Sequence, residues 1–519
     1  MTGPSKCIII YRTEQNRTWT TYNLNSLKLS SQLLFFTPIN FLSKFHRIRR
    51  NLSPFRLRSF LSQQIFLGLS FGLLLITSYS SLALTSKTTN IINGNPPYLT
   101  FDGGHTQATN TDGFLGISLS NGDKYTPTTN NSSLDNPIIL PTAGQSFADI
   151  AMLVPTNTNS IALGSLIGTP YNYWGDDDGD GQGVNGITAT GSLNLSIVDK
   201  NNQAVTRNEV LTICNAPYKL TLSNTEGILK TRYGVPNQSR FTAGNVTYYI
   251  NPKAPPVICF ARPNLIEGDN KFAGPASIWN PDKGFLPQSV TPSSYGLNFP
   301  TTGANNLYFD LEIAGNNQAL FWAPVSHDKI TATITEVTNT SVRVTLTGPV
   351  AKPLQWQSDN PGEIDRPSLP QVFELVGRDS RGNAVVKYGF VLNQWFINRG
   401  NDSYDYSSVS SWCNNIGYRL PTVRDLTNAS CQGDDTNGGA FCQGAVGATP
   451  SSPNNFYQRR IGAGFFTEWG QMSDYTGANF RSWHYWTSDT TGSDHFVVSW
   501  DWGGVNHNSS IPVGVCAYP

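Results

Sequence analysis

From about residue 85 onward, apolar residues recur at every second position in short runs, and clusters of turn-forming residues break those runs. Asn93-Gly94-Asn95-Pro96-Pro97, Asp102-Gly103-Gly104 and Ser120-Asn121-Gly122-Asp123 are early examples of such clusters. In Ser192 to Val198, the residues Leu193, Leu195 and Ile197 fall on one face of a strand, and Asp199-Lys200-Asn201-Asn202 makes the polar turn after it. Two hairpins are plainer still. Ile330, Ala332 and Ile334 alternate with polar residues, Asn339-Thr340-Ser341 turns, and Val342, Val344 and Leu346 return with the same period. Val372 to Arg378, the turn Ser380-Arg381-Gly382-Asn383 and Ala384 to Leu392 form the second. Hairpins repeated at this spacing predict an immunoglobulin-like β-sandwich.

The pattern divides the chain. Residues 85-255 read as a β-rich domain, and Pro252, Pro255 and Pro256 interrupt the chain after the strand Val246 to Ile250. Residues 256-393 are the predicted sandwich. From Gln394 the pattern changes: residues 394-519 hold seven of the twelve Trp residues (Trp395, Trp412, Trp469, Trp483, Trp486, Trp500, Trp502) and the clearest helix signals. Asn401-Asp402-Ser403 and Ser407-Ser408 offer caps for a helix carrying Val409, Trp412 and Cys413, and Thr422 can cap a second helix through Leu426. A compact α+β domain is expected there. The fold class is therefore mainly β: sandwich domains followed by a C-terminal α+β domain.

Composition agrees, since charged residues are 13% of the chain and aromatics 12%, a balance that favours strands and loops over solvent-facing helices. The zero net charge conceals an asymmetry. Residues 1-84 carry ten Lys/Arg against the single acid Glu14, leaving 25 basic and 34 acidic residues beyond them. A nucleic-acid partner would require a basic stripe in the folded part, which the sequence does not offer. Within the leader, Arg47, Arg49, Arg50, Arg56 and Arg58 precede the apolar run Ile65 to Ile76 and then Ser81-Leu82-Ala83. This is the shape of a signal peptide cleaved near Ala83, and the run is shorter than the roughly 20 residues a membrane span needs. Export to the cell surface, the outer membrane or the medium is the expectation.

If Cys7 leaves with the leader, Cys214, Cys259, Cys413, Cys431, Cys442 and Cys516 remain. An even count in an exported chain reads as three disulfides, for which sequence alone allows fifteen connectivities. Cys214 and Cys259 stand on either side of the proline boundary, where a bridge would staple strands or neighbouring domains. Asp176, Asp178 and Asp180, followed by Gly181, match the first half of a calcium loop, but Ile187 stands where a bidentate Glu closes such loops. A solvated acidic turn is the other reading of that stretch. No nucleophile elbow, zinc-protease helix or phosphate-binding glycine loop is present. His484, His495 and His507 match no ligand spacing. The expectation is a protein without enzymatic activity or small-molecule cofactor, calcium apart.

The stretch Trp412-Cys413-x-x-x-Gly417-Tyr418-Arg419-Leu420-Pro421-Thr422, with Tyr485-Trp486-Thr487-Ser488 and Phe496-Val497-Val498-Ser499-Trp500, resembles the C-type-lectin-like fold that caps intimin and invasin adhesins. The chain beyond the leader is similar in general character to enterobacterial adhesin-stalk proteins. The resemblance implies that Cys413 bridges to Cys516 and that Cys431 and Cys442 form a small local loop. It also implies an adhesin or host-recognition protein that binds a host or cell-surface protein or a glycan through residues 394-519. Calcium-dependent sugar binders of that fold carry an acidic residue where this chain has Ser452-Pro453-Asn454, with Ser499-Trp500-Asp501 later, so calcium-mediated sugar binding is not expected. Trp412 and Trp486 are expected in the core. Trp469, Tyr475, Trp483 and Trp502 lie in loop-like sequence and are the candidate contact residues. A structural stalk or cap without ligand, and a secreted carbohydrate-active enzyme, are the alternatives.

Overall fold

The computed structural model describes residues 8–11, 20–23, 93–178, 186–431, 441–507 and 511–519. Two compact units divide at Thr88/Thr89. In the first, Ile8–Tyr11 and Thr20–Asn23 pair antiparallel. The signal-like segment from Arg47 to Ala83 lies outside the described residues.

The second unit is mainly β and contains two hydrophobic cores. The first core is built on a five-stranded sheet whose order is Ile138–Ile139, Gly244–Asn251, Tyr218–Asn224, Ser192–Val198 and Ser160–Ala162. Leu193, Leu195 and Ile197 point inward, and Leu195 stands opposite Leu222. Leu229 and Phe241, from a three-stranded sheet of Thr188–Thr190, Gly227–Lys230 and Gln238–Phe241, join the same core. Alternation is what closes it, because a period of two puts each second side chain on the buried face.

The second core opens with Val257–Arg262, after the prolines. That strand pairs with Tyr308–Ala314 in a seven-stranded sheet that also contains the hairpin Ile330–Thr335 and Ser341–Thr347. The hairpin register sets Ala332 against Leu346 and Ile334 against Val344. Gln371–Arg378 and Ala384–Leu392 pair in a separate three-stranded sheet with Phe321–Trp322, and their Phe373, Leu375, Tyr388 and Phe390 are buried in the same core. Two sheets sharing one core make a sandwich. At the junction of the two cores, Glu312 accepts ion pairs from Lys200 at 2.9 Å and Lys283 at 3.2 Å. Burial opposes ionisation there, yet the two ammonium groups hold the Glu312 carboxyl below its ordinary value.

The terminal domain begins with the strand Gln394–Ser403, paired antiparallel with the last strand Val513–Tyr518, so both ends of the domain meet. The helix Tyr406–Asn415 follows. Its cap is Asp405, whose side chain accepts from the Ser408 amide at 2.7 Å. The expected caps at Asn401-Asp402-Ser403 are not used, since those residues finish the strand, where pairing with Val513–Tyr518 outweighs local turn preference. Thr422 does open the helix Val423–Leu426, its amide bound to Asp425 at 2.7 Å in a capping box.

Residue 393 separates two patterns in the sequence but not two cores. The second hydrophobic cluster runs from Ile258 to Ala517 without a break at Gln394. Thr302–Ala304, a sandwich segment, pairs in parallel with Gln394–Phe396 of the terminal domain. Trp395 is fully buried at this seam, its indole donating to the Pro349 carbonyl at 2.9 Å.

Candidate recognition surface of the terminal domain

Among the described residues three disulfides are formed: Cys214–Cys259, Cys413–Cys516 and Cys431–Cys442, with Cα atoms 5.5, 5.4 and 5.4 Å apart. Cys413 on the helix and Cys516 on the last strand close the terminal domain across 103 residues. In the chain-entropy account such a closure is worth up to roughly 4–5 kcal/mol. Cys214, in the turn Ile213–Asn215, ties the first core to Cys259 in the opening strand of the second.

The four aromatic candidates separate into two pairs. Trp469 is fully buried and Tyr475 is 3% exposed, so neither is a contact residue. Their loop-like sequence hides a short helix, Phe465–Trp469, held between Gly464 (φ +106°) and Gly470 (φ +75°). A side chain at Gly470 would strike the Arg459 guanidinium, and both backbone conformations suit glycine. The helix drives Trp469 into the seam with the sandwich. There it meets Phe299 at 4.9 Å and Phe309 at 6.2 Å between ring centres, and its indole donates to the Thr302 carbonyl at 3.0 Å. The Tyr475 hydroxyl donates to the Trp469 carbonyl at 2.7 Å and accepts from the Asn264 amide at 2.8 Å.

Glu468, beside Trp469, is also fully buried. Its carboxylate accepts from the Thr301 and Thr302 amides and hydroxyls and from the Gly462 amide, at 2.6 to 3.1 Å. Burial raises its pKa against the lowering effect of these donors. Arg459, equally buried, donates to the carbonyls of Asn264, Ile266, Glu267 and Glu468. These residues fasten the terminal domain to the sandwich. Nothing in the sequence pattern marked Glu468 or Arg459, because most of their partners belong to the distant stretch from Asn264 to Thr302.

Trp483 and Trp502 lie elsewhere. Trp483 is 37% exposed, with the Arg481 guanidinium 5.5 Å from its ring centre. The Trp500 amide donates to the Trp483 carbonyl at 3.1 Å, which brings the loop before the strand His484–Thr491 beside the loop after the strand Asp494–Ser499. Trp500 and Trp502 are half-buried in that second loop. Its turn is fixed from below: the Tyr457 hydroxyl donates to the Asp501 carbonyl at 2.6 Å, and the Tyr457 amide to that of Trp502 at 3.0 Å. The Asp501 carboxylate is engaged locally, accepting from the Ser499 hydroxyl and the Trp502 amide. Arg481, whose guanidinium donates to the Asn401 carbonyl at 2.9 Å and the Ser403 hydroxyl at 3.1 Å, and Trp483, with the half-buried Trp500 and Trp502 of the adjoining loop, are the aromatic and cationic rim of a disulfide-closed scaffold. Trp500 reads from sequence as the end of a core strand and Arg481 belongs to no motif, so the rim was half legible. Trp412 is buried as expected, whereas Trp486 is half-buried.

His484 and His495 are both held below the ordinary histidine value by burial, against Asp501 and Asp494 respectively. His507 lies 3.3 Å from the Asp494 carboxylate. The three do not form one group. At the acidic turn of the first domain, Asp178 accepts from the Asn95 amide at 2.6 Å and the Asp176 side chain is buried, while Asp180 lies outside the described residues. Asp177, between them, accepts from the Gln107 side-chain Nε2 at 2.8 Å and from the Tyr98 hydroxyl at 2.5 Å, and the latter bond pushes the Tyr98 pKa up to about 12. Among the described residues no cluster of three His, Cys, Asp or Glu is arranged to hold a metal ion, and no helix is long and apolar enough to cross a membrane.

No family model and no curated protein matches the chain. Among solved structures it is similar to invasin, described as a bacterial integrin-binding protein, at 14% identity and a TM-score of 0.31 over 65% of this chain and 52% of that one. It is also similar to the C-terminal 282-residue fragment of intimin in complex with the intimin-binding domain of the translocated intimin receptor, at 11% identity and a TM-score of 0.28 over 64% of this chain and 93% of the fragment. A third is intimin-190 from enteropathogenic E. coli, at 12% identity and a TM-score of 0.22 over 43% and 90%. The chain spans about half the length of the invasin structure it matches.

Proposed function

We propose that this chain is an exported bacterial surface protein that recognises a protein or glycan on another cell through its terminal domain, the preceding sandwiches acting as a stalk. The observation that carries this reading is the rim of Arg481, Trp483, Trp500 and Trp502, with Trp483 37% exposed on a domain closed by Cys413–Cys516. Trp and Arg give large contact area at small entropic cost and dominate the energetics of protein interfaces, which favours a protein partner. Irregular loops on a rigid scaffold are where such contacts concentrate. The signal-like leader and the paired cysteines support export.

A second reading, a cap without ligand, is favoured by one observation: the terminal domain shares its core with the sandwich, so it completes that domain's interior. For the same reason truncation at residue 393 is a poor test, because it strips Trp469 and Glu468 from the seam. The decisive experiment compares binding of the purified chain and of the Trp483→Ala/Trp502→Ala variant to host cells and to glycan and receptor arrays, with glycoside hydrolase assays in parallel. At least tenfold weaker binding by a folded variant is expected. Equal binding, or none by either protein, overturns the reading in favour of the cap, and turnover of a polysaccharide would favour an enzyme.

A further inference from the structure

Among the described residues of the second unit three arginines are at least nine-tenths buried, and they are used differently. Arg459 spends its guanidinium on four backbone carbonyls, and Arg207 donates to the carbonyls of Ile150, Val154 and Pro155. Arg399, only 2% exposed, donates through Nε to the Trp356 carbonyl at 3.1 Å and through Nη1 to the Ser408 hydroxyl at 2.8 Å. Among the described residues its Nη2 makes no hydrogen bond, and no carboxylate comes within ion-pair distance. The guanidinium is held over the Tyr404 ring, 3.7 Å from its centre, with the Trp412 ring 5.4 Å away. Burial works against its charge, and the Asp359 and Asp405 carboxylates, beyond ion-pair distance, offset that cost only in part.

Arg399 lines an open, polar hollow of about 370 Å³ together with Trp412, Asp359, Asp405, Ser407, Ser408 and Ser411. One oxygen of Asp405 is engaged by the Ser407 hydroxyl and the Ser408 amide, both at 2.7 Å. Its other oxygen, the exposed Asp359 carboxylate and the exposed Ser411 hydroxyl remain available. The hollow thus presents a fixed donor at its floor and acceptors at its rim. The two exposed carboxylates outweigh the one guanidinium and disfavour an anion, and the presence of a donor beside acceptors suits vicinal hydroxyls, each of which can donate and accept at once.

We propose that the Arg399 hollow binds a neutral polyhydroxylated ligand of the size of a single pyranose ring, with Arg399 Nη2 donating to one hydroxyl oxygen and Asp405 and Asp359 accepting from its neighbours. The site shares no residue with the Trp483 rim and does not depend on that rim's function.

Saturation-transfer NMR on the full mature chain tests this, using free glucose, galactose, mannose and N-acetylglucosamine at millimolar concentration, with sialic acid and lysine as charged controls. Transfer to at least one neutral sugar is expected, at least tenfold reduced in Ser411→Trp, which fills the hollow from its exposed rim, and in Asp359→Leu. Both variants should retain the wild-type circular dichroism and melting profile, because both substitutions are at the surface. Trp483→Ala should leave the signal unchanged, so failure here and failure at the rim are told apart. Absence of transfer to every neutral sugar, transfer that survives Ser411→Trp, or transfer confined to a charged control overturns the proposal.

Discussion

The segments around Trp469 and around Trp483 are both rich in Gly, Ser, Asn and aromatics, lie close together in the chain, and end in opposite places. The first is the seam: Trp469, Tyr475, Glu468 and Arg459 are all buried against sandwich residues from Asn264 to Thr302. The second is the rim, where Trp483 reaches solvent beside Arg481. Local sequence did not separate them. What did is tertiary packing: the seam side is buried against the sandwich, whereas Trp483 keeps 37% of its surface exposed. An aromatic in a loop is therefore a contact candidate only after the neighbouring domain has taken its share.

The contrast can be attacked at several points. Cys516→Ser opens the closure of 103 residues, and a loss of about 4–5 kcal/mol is expected. Chemical denaturation of the oxidised proteins measures it, and a loss under about 1 kcal/mol, far below the loop-closure term, would mean that the seam holds the domain shut instead of the disulfide. Trp469→Ala should cost about 3–5 kcal/mol through cavity formation between the two layers. Near-ultraviolet circular dichroism should register the altered aromatic packing. A cost within about 0.5 kcal/mol, the range of surface substitutions, would place Trp469 on the rim after all.

Glu468→Gln probes the seam more gently. Gln keeps one acceptor but turns an amide NH2 toward donors from Thr301, Thr302 or Gly462, and about 2–3 kcal/mol should be lost. Equal denaturation midpoints for the two proteins would show that the carboxylate is not the fastener. Acid acts on the hairpin of His484–Thr491 and Asp494–Ser499. His484 and His495 are held below the ordinary histidine value by burial, so the unfolded chain binds protons first as pH falls. Their stability contribution is complete above about pH 6.5 and declines below it. Thermal melts from pH 8 to 5 should show this decline, and His484→Gln with His495→Gln should flatten it. Trp483→Ala should cost less stability than Trp469→Ala, because Trp483 keeps 37% of its surface exposed, with the binding loss described above as its main consequence.

Much of the fold is legible in the alternation itself. Leu193, Leu195 and Ile197 face one core, and the hairpins at Ile330–Thr335 with Ser341–Thr347 and at Gln371–Arg378 with Ala384–Leu392 pair as their patterns require. A strand half-buried on one face can satisfy only one register without turning its apolar side to water, so period and turn together set it. Helix entry at Thr422 was equally local. At Asp405 the local signal misled, because Asn401-Asp402-Ser403 looks like a cap until the last strand, at the far end of the domain, recruits it into a sheet.

The mainly β character, the strand faces and the even set of cysteines can all be read along the chain without any coordinates. How those cysteines pair, that the terminal domain and the sandwich share a core, and which tryptophans see solvent emerge only once the chain is folded. The difference is one of range. Alternation and capping act between near neighbours, whereas the Glu468, Arg459 and Trp469 contacts join the terminal domain to the stretch from Asn264 to Thr302, a meeting that no local pattern encodes.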